Sequence, residues 1–170
     1  MRTNTSFRIT VLRIAVLGFL WLTSTGLADP KREEVELAVV VHPDTPVSNV
    51  NVSELRKIFR GERQYWSKDM PVVLLVRAPV SRERDAVVKS ICQMTETQFK
   101  QYWIARIFRA EAVSSPIVVN TPQAANDIVA TVPGAITVLE MRNVRPGLKV
   151  LRVNNLLPAE SGYPISGAQP

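Results

Sequence analysis

Cysteine and histidine are almost missing from this chain: Cys92 and His42 stand alone among 170 residues. A single cysteine excludes an intrachain disulfide, so the fold must rest on its apolar core. Cys92 falls among Val88, Ile91 and Met94 and reads as a packed small apolar residue. One histidine and one cysteine form no cluster with metal-ligand spacing, so no metal and no cofactor are expected. The 7 glycines make neither a P-loop nor a dinucleotide-binding pattern. No serine or cysteine sits in a nucleophile elbow. No catalytic residue is assigned, and the chain reads as a non-enzyme.

Acidic residues are absent from the first 28 positions, which carry Arg2, Arg8 and Arg13 out of a formal net charge of +6. The remainder is only mildly basic, without the concentrated basic face of a nucleic-acid binder. Residues 14–22 (IAVLGFLWL) form a short apolar core, and Gly26-Leu27-Ala28 gives a small-x-small site before Asp29. This predicts a secretory signal peptide over 1–28, cleaved near Ala28, and an exported, periplasmic mature chain. An uncleaved anchor is the alternative, although the apolar run is short for a bilayer. No cysteine sits at the cleavage site, which disfavours a lipoprotein.

Residues 29–36 form a charged, flexible leader. The pattern over 37–153 then predicts one α/β domain, and the prolines and glycines of 154–170 predict a poorly ordered tail with Leu156-Leu157 able to pack. Residues 37–41 (LAVVV), 72–76 (VVLLV), 117–119 (IVV) and 135–139 (AITVL) are continuous apolar strands, and 149–153 (KVLRV) is an alternating edge strand. Helices lie between them. Asn51 with Glu54 and Thr95 with Gln98 are capping boxes, Gly61 is a C′ glycine, and Thr121-Pro122 opens a further helix. Phe99, Trp103 and Ile107, widened by Tyr102 and Phe108, form the core face of the most aromatic helix. The order predicts a mainly parallel sheet of about five strands flanked by helices.

Ligands of such sheets gather at the carboxyl ends of the strands. Three strand ends run through polar residues into helix caps: His42 to Asn51, Arg77 to Ser81, and Asn120 to Thr121. Arg77 and the Ser81 N-cap form the leading candidate, because a guanidinium and free helix-start amides suit an anion. His42, Asn120 and Thr121 are secondary ligand-contact candidates. The competing reading is an ordinary strand–loop–helix turn. Tyr65-Trp66 and Tyr102-Trp103 could stack on a ligand, although core spacing favours burial of Trp103.

The segment Leu55, Ile58, Phe59, Gly61 (L-x-x-I-F-x-G), then Trp66, then a strand ending in Arg77, resembles the phosphate ABC-transporter substrate-binding proteins. Pro133-Gly134-Ala135-Ile136 resembles their P-G-A-I strand, and Tyr102-Trp103 with Phe108 resembles a helix of short, single-lobe relatives. The resemblance implies one lobe of a type II periplasmic binding protein that holds an oxyanion, phosphate first, without catalysis. Carried over, Arg77 is the guanidinium, Ser81 a hydroxyl, and Arg82 and Glu83 donate helix-start amides. The family's S-G-T reads Ser81-Arg82-Glu83 here, so the Glu83 carboxylate must either repel an anion or turn away from it. Ala78-Pro79 and Thr137-Val138 also depart from the family pattern. The implied partners are a small oxyanion, a membrane transporter or sensor, or a second copy of the chain. The alternative is an accessory module that keeps the lobe but binds no ligand.

Overall fold

A computed structural model of the chain describes residues 35–112 and 114–165. The signal peptide expected over 1–28, most of the leader and the last five residues lie outside the described residues. Among the described residues no helix is long and apolar enough to cross a membrane.

The central sheet has five strands: β1 (Leu37–Val41), β5 (Val73–Arg77), β6 (Ile117–Val119), β7 (Ala135–Glu140) and β8 (Lys149–Val150), in the order β6-β5-β7-β1-β8. β5 pairs in parallel with both β6 and β7. β1 runs antiparallel to β7 and to β8. Four strands therefore point one way and β1 points the other, which makes the sheet mainly parallel as expected. Two short pairs flank it: β2 (Asn49–Val50) with β9 (Arg152–Val153), and β3 (Tyr65–Ser67) with β4 (Met70–Pro71).

The apolar runs are continuous because both sheet faces are covered. Leu37, Val39 and Val41 face one core with Leu55, Ile58, Phe59 and Trp103. Ala38 and Val40 face the other with Leu75, Val119, Ala125 and Val129. Alternation along β1 thus feeds two layers from one strand. Each fully buried Val, Leu or Ile contributes about 1.5–3 kcal/mol.

The first layer holds α1 (Val52–Phe59), α2 (Arg82–Asp85) with the π-helical turn Ala86–Ile91, and α3 (Glu96–Phe108); α4 (Pro122–Thr131) covers the second. Both capping boxes form as read, on α1 and α3. The π turn departs from the plain helix expected after Ser81. Its wider winding brings Val87, Val88, Ile91 and Cys92 onto one buried face, with the Cys92 amide donating to the Val87 carbonyl at 2.9 Å. Cys92 is the packed apolar residue expected. Burial pushes its thiol up to about 12, far from a reactive thiolate.

The family-like motif residues prove to be packing devices. Gly61 has φ +67, and a Cβ there would lie 2.5 Å from the Trp103 ring. The Trp66 indole donates to the Gly134 carbonyl at 2.8 Å, tying the β3–β4 hairpin to the start of β7.

Three expectations need correction. The core face of α3 stops at Trp103, because Ile107 is partly exposed and Phe108 is 91% exposed. The strand over 149–153 divides at Leu151, where the chain leaves β1 to pair with β2. Residues 154–165 fold back onto the domain and do not trail away. Asn154 and Asn155 adopt left-handed backbone, which asparagine tolerates. The Asn154 side chain accepts from the Val52 amide at the start of α1, and Ile165 is buried.

Candidate functional site

The β5 strand delivers Arg77 to the carboxyl edge of the sheet, in register with Val119 of β6. Its guanidinium donates through Nη1 to the Val119 carbonyl at 3.0 Å, and the same carbonyl accepts the Ala78 amide at 2.9 Å. The arginine is thus anchored to the neighbouring strand end. Its Nε is enclosed and makes no hydrogen bond.

Ser81 is the N-cap expected of it. Its hydroxyl accepts from the Arg84 amide at 3.2 Å and donates to the Ala78 carbonyl at 3.0 Å. Both capacities are engaged, so a ligand would have to replace the Ala78 bond. The Arg82 and Glu83 amides occupy the first helical turn, where no intrahelical acceptor exists. Arg82 is half-buried and makes no ion pair or side-chain hydrogen bond among the described residues.

The Glu83 carboxylate turns inward, opposite to the outward course one reading allowed it. It lies 3.6 Å from Arg77 Nε, with side-chain exposures of 6% and 11% for the acid and the base. That separation is an ion pair without a hydrogen bond. The adjacent Arg84 is committed elsewhere: it binds the Glu96 carboxylate at 2.8 and 3.1 Å and lies over the Phe99 ring at 4.9 Å. Arg84 therefore locks the start of α2 to α3.

Asn120 and Thr121 follow β6 at the same edge as Arg77. Thr121 caps α4 by accepting from the Ala124 amide at 3.1 Å, and both residues are exposed. His42 does not join them. Because β1 is antiparallel, His42 stands at the opposite edge, where its amide donates to the Ala135 carbonyl at 3.1 Å. Its Nδ1 accepts the Asp44 amide at 3.1 Å, a loop-fastening arrangement. Strand direction removes this candidate from the corner.

Two charged residues at the carboxyl edge escaped sequence reading. Glu140 ends β7 with its carboxylate mostly buried and accepts from Arg142 Nε at 2.7 Å. The available signal was an acid directly after the buried strand run Ala135–Leu139, four of whose five residues are apolar. A cavity of about 230 Å³, lined by Gly61, Val72, Trp103, Ser115 and Ile117 among others, opens at the amino ends of β5 and β6. It lies a strand length away from Arg77 and belongs to a different part of the domain. No metal-binding group of three or more His, Cys, Asp or Glu occurs among the described residues.

Solved structures share this architecture. An ABC-type phosphate transport receptor from Vibrio cholerae matches with a TM-score of 0.60 and 21% identity, covering 77% of this chain and 53% of its own. PstS from Borrelia burgdorferi matches at 0.61 and 19%, covering 77% and 54%. A chain from Clostridium perfringens solved with bound phosphate matches at 0.57 and 18%, covering 72% and 48%. This chain spans about half the length of the structures it matches. At these identities the likeness is one of fold. The sequence itself goes further, since the profile of the PBP superfamily domain matches residues 35–162, three-quarters of the chain. That match covers well over half of the chain, and the chain belongs to the PBP superfamily domain family.

Proposed function

We propose that this domain is an exported, non-catalytic solute-binding lobe whose Arg77 corner receives a small oxyanion, phosphate first, in the service of transport or sensing across a membrane. The observation that carries this reading is the anchored Arg77 guanidinium, whose Nε makes no hydrogen bond, at the strand end that leads through Ser81 into α2. A tetrahedral oxyanion offers acceptors for both the fork and the amides. Two of the structural relatives, one a phosphate transport receptor and one a chain with bound phosphate, support the choice of anion.

Affinity in the native chain is weak, because Glu83 already answers the Arg77 charge. Calorimetric titration with phosphate and with sulfate tests the reading. Millimolar binding that vanishes in Arg77→Ala supports it; binding that survives this substitution places the anion elsewhere and refutes it.

A second reading, an accessory module for a membrane complex or a self-associating lobe, draws on one specific feature. Ile104 and Phe108 on α3 and Val118 on the edge strand β6 are exposed apolar residues. Sedimentation of the purified domain separates the self-associating form from a monomer.

A further inference from the structure

We propose that Glu83 is a built-in counter-ion that keeps the Arg77 corner closed to outside anions, and that removing its charge opens the corner to phosphate-like oxyanions. The inference rests on the oxyanion reading above and adds what controls the site.

Three observations carry it. The Glu83 carboxylate is withdrawn from solvent and 3.6 Å from Arg77 Nε, where an incoming anion would have to approach. The other acids at this edge are already held: Glu96 by Arg84 at 2.8 Å and Glu140 by Arg142 at 2.7 Å. Glu83 alone of the three makes no side-chain hydrogen bond among the described residues, so its pairing with Arg77 is a matter of charge. Finally, Arg77 Nε lacks any hydrogen-bond acceptor. The pair is therefore electrostatically complete and geometrically unfinished.

Such a pair can be displaced, but only at a cost. A tethered carboxylate competes at an effective concentration of roughly millimolar or above, and a displaced Glu83 would stand beside a dianion as a like charge. An oxyanion gains a charge-assisted hydrogen bond from Nε, yet must overcome both terms. Neutralising Glu83 removes both at once and leaves the guanidinium without a counter-ion. An unpaired buried guanidinium is itself unfavourable, which adds to the drive for an external anion.

The test is isothermal titration with sodium phosphate, alongside phosphate-dependent melting, on the wild type, Glu83→Gln, Glu83→Ala and Arg77→Met/Glu83→Gln. Both single variants should bind phosphate at least tenfold more tightly than the wild type, and the double variant should lose the gain. Where a single variant melts early, phosphate should raise its melting temperature more than the wild type's. Equal affinity in the wild type and the single variants overturns the gate while leaving the oxyanion site in place. A gain that persists without Arg77 overturns it too. Absence of phosphate binding in every form removes the gate together with the site it would guard.

Discussion

The Glu83 carboxylate faces the Arg77 guanidinium at 3.6 Å, and neither side chain has more than marginal contact with water. A corner built from an arginine and a helix start thus carries its own anion. Breaking such a pair leaves one charge buried and unanswered, whereas replacing both with apolar groups is often neutral.

That asymmetry gives the first prediction. Glu83→Leu alone should lower unfolding free energy by about 3 kcal/mol, as should Arg77→Met, while the two together should cost less than either single change. Urea denaturation of the set measures it. Strict additivity would mean that the two residues do not interact.

Gly134 joins two parts of the fold at one carbonyl, which accepts both the Trp66 indole and the Val73 amide. Its φ is +84, and an added Cβ would lie 2.0 Å from the Pro71 carbonyl oxygen. Gly134→Ala should therefore destabilise by at least about 3 kcal/mol, combining left-handed strain with backbone overlap. A loss below about 1 kcal/mol would show that the hairpin yields easily.

Val80, beside the candidate corner, is fully exposed with φ 68, a conformation that a β-branched residue enters at a cost. Asparagine tolerates it. Val80→Asn should raise stability by about 1 kcal/mol without loss of packing, read from the denaturation midpoint. A drop would contradict the account of strain at this position.

Much of this fold was legible because its local signals agree with its packing. The LAVVV run of β1 is buried on both faces as a continuous apolar strand should be, and Asn51, Thr95 and Thr121 cap the helices they were expected to cap. Strand direction was not legible, because the pattern of β1 reads the same either way, and its reversal carries His42 to the wrong edge. Nor was the course of Glu83. Its place in the first helical turn permits an inward or an outward carboxylate, and only the half-buried Arg77 decides between them. The tail misled for a different reason: prolines and glycines suggested disorder, while Asn154, Asn155 and Ile165 supply the bonds and the burial that hold it.

Alkaline pH offers a further prediction. Burial pushes the Cys92 thiol from 9.0 to about 12 and the Tyr163 hydroxyl from 10.0 to about 12. Both folded values exceed the unfolded ones, so the folded state binds more protons above pH 9. The stability associated with these groups is whole below their ordinary values and falls as pH rises toward 12. The slope reaches roughly 1.4 kcal/mol per pH unit for each group. Denaturation midpoints at stepped alkaline pH should decline accordingly; a flat profile would mean that water reaches both groups.

The central claim is that the Arg77 corner is an oxyanion site shut by Glu83. Crystals of Glu83→Gln grown in phosphate test it most directly. The account predicts a phosphate within hydrogen-bonding distance of Arg77 Nε, at clearly higher occupancy than at the same place in wild-type crystals grown at the same phosphate concentration. A vacant corner in the variant, or phosphate bound only at other basic residues, would contradict it.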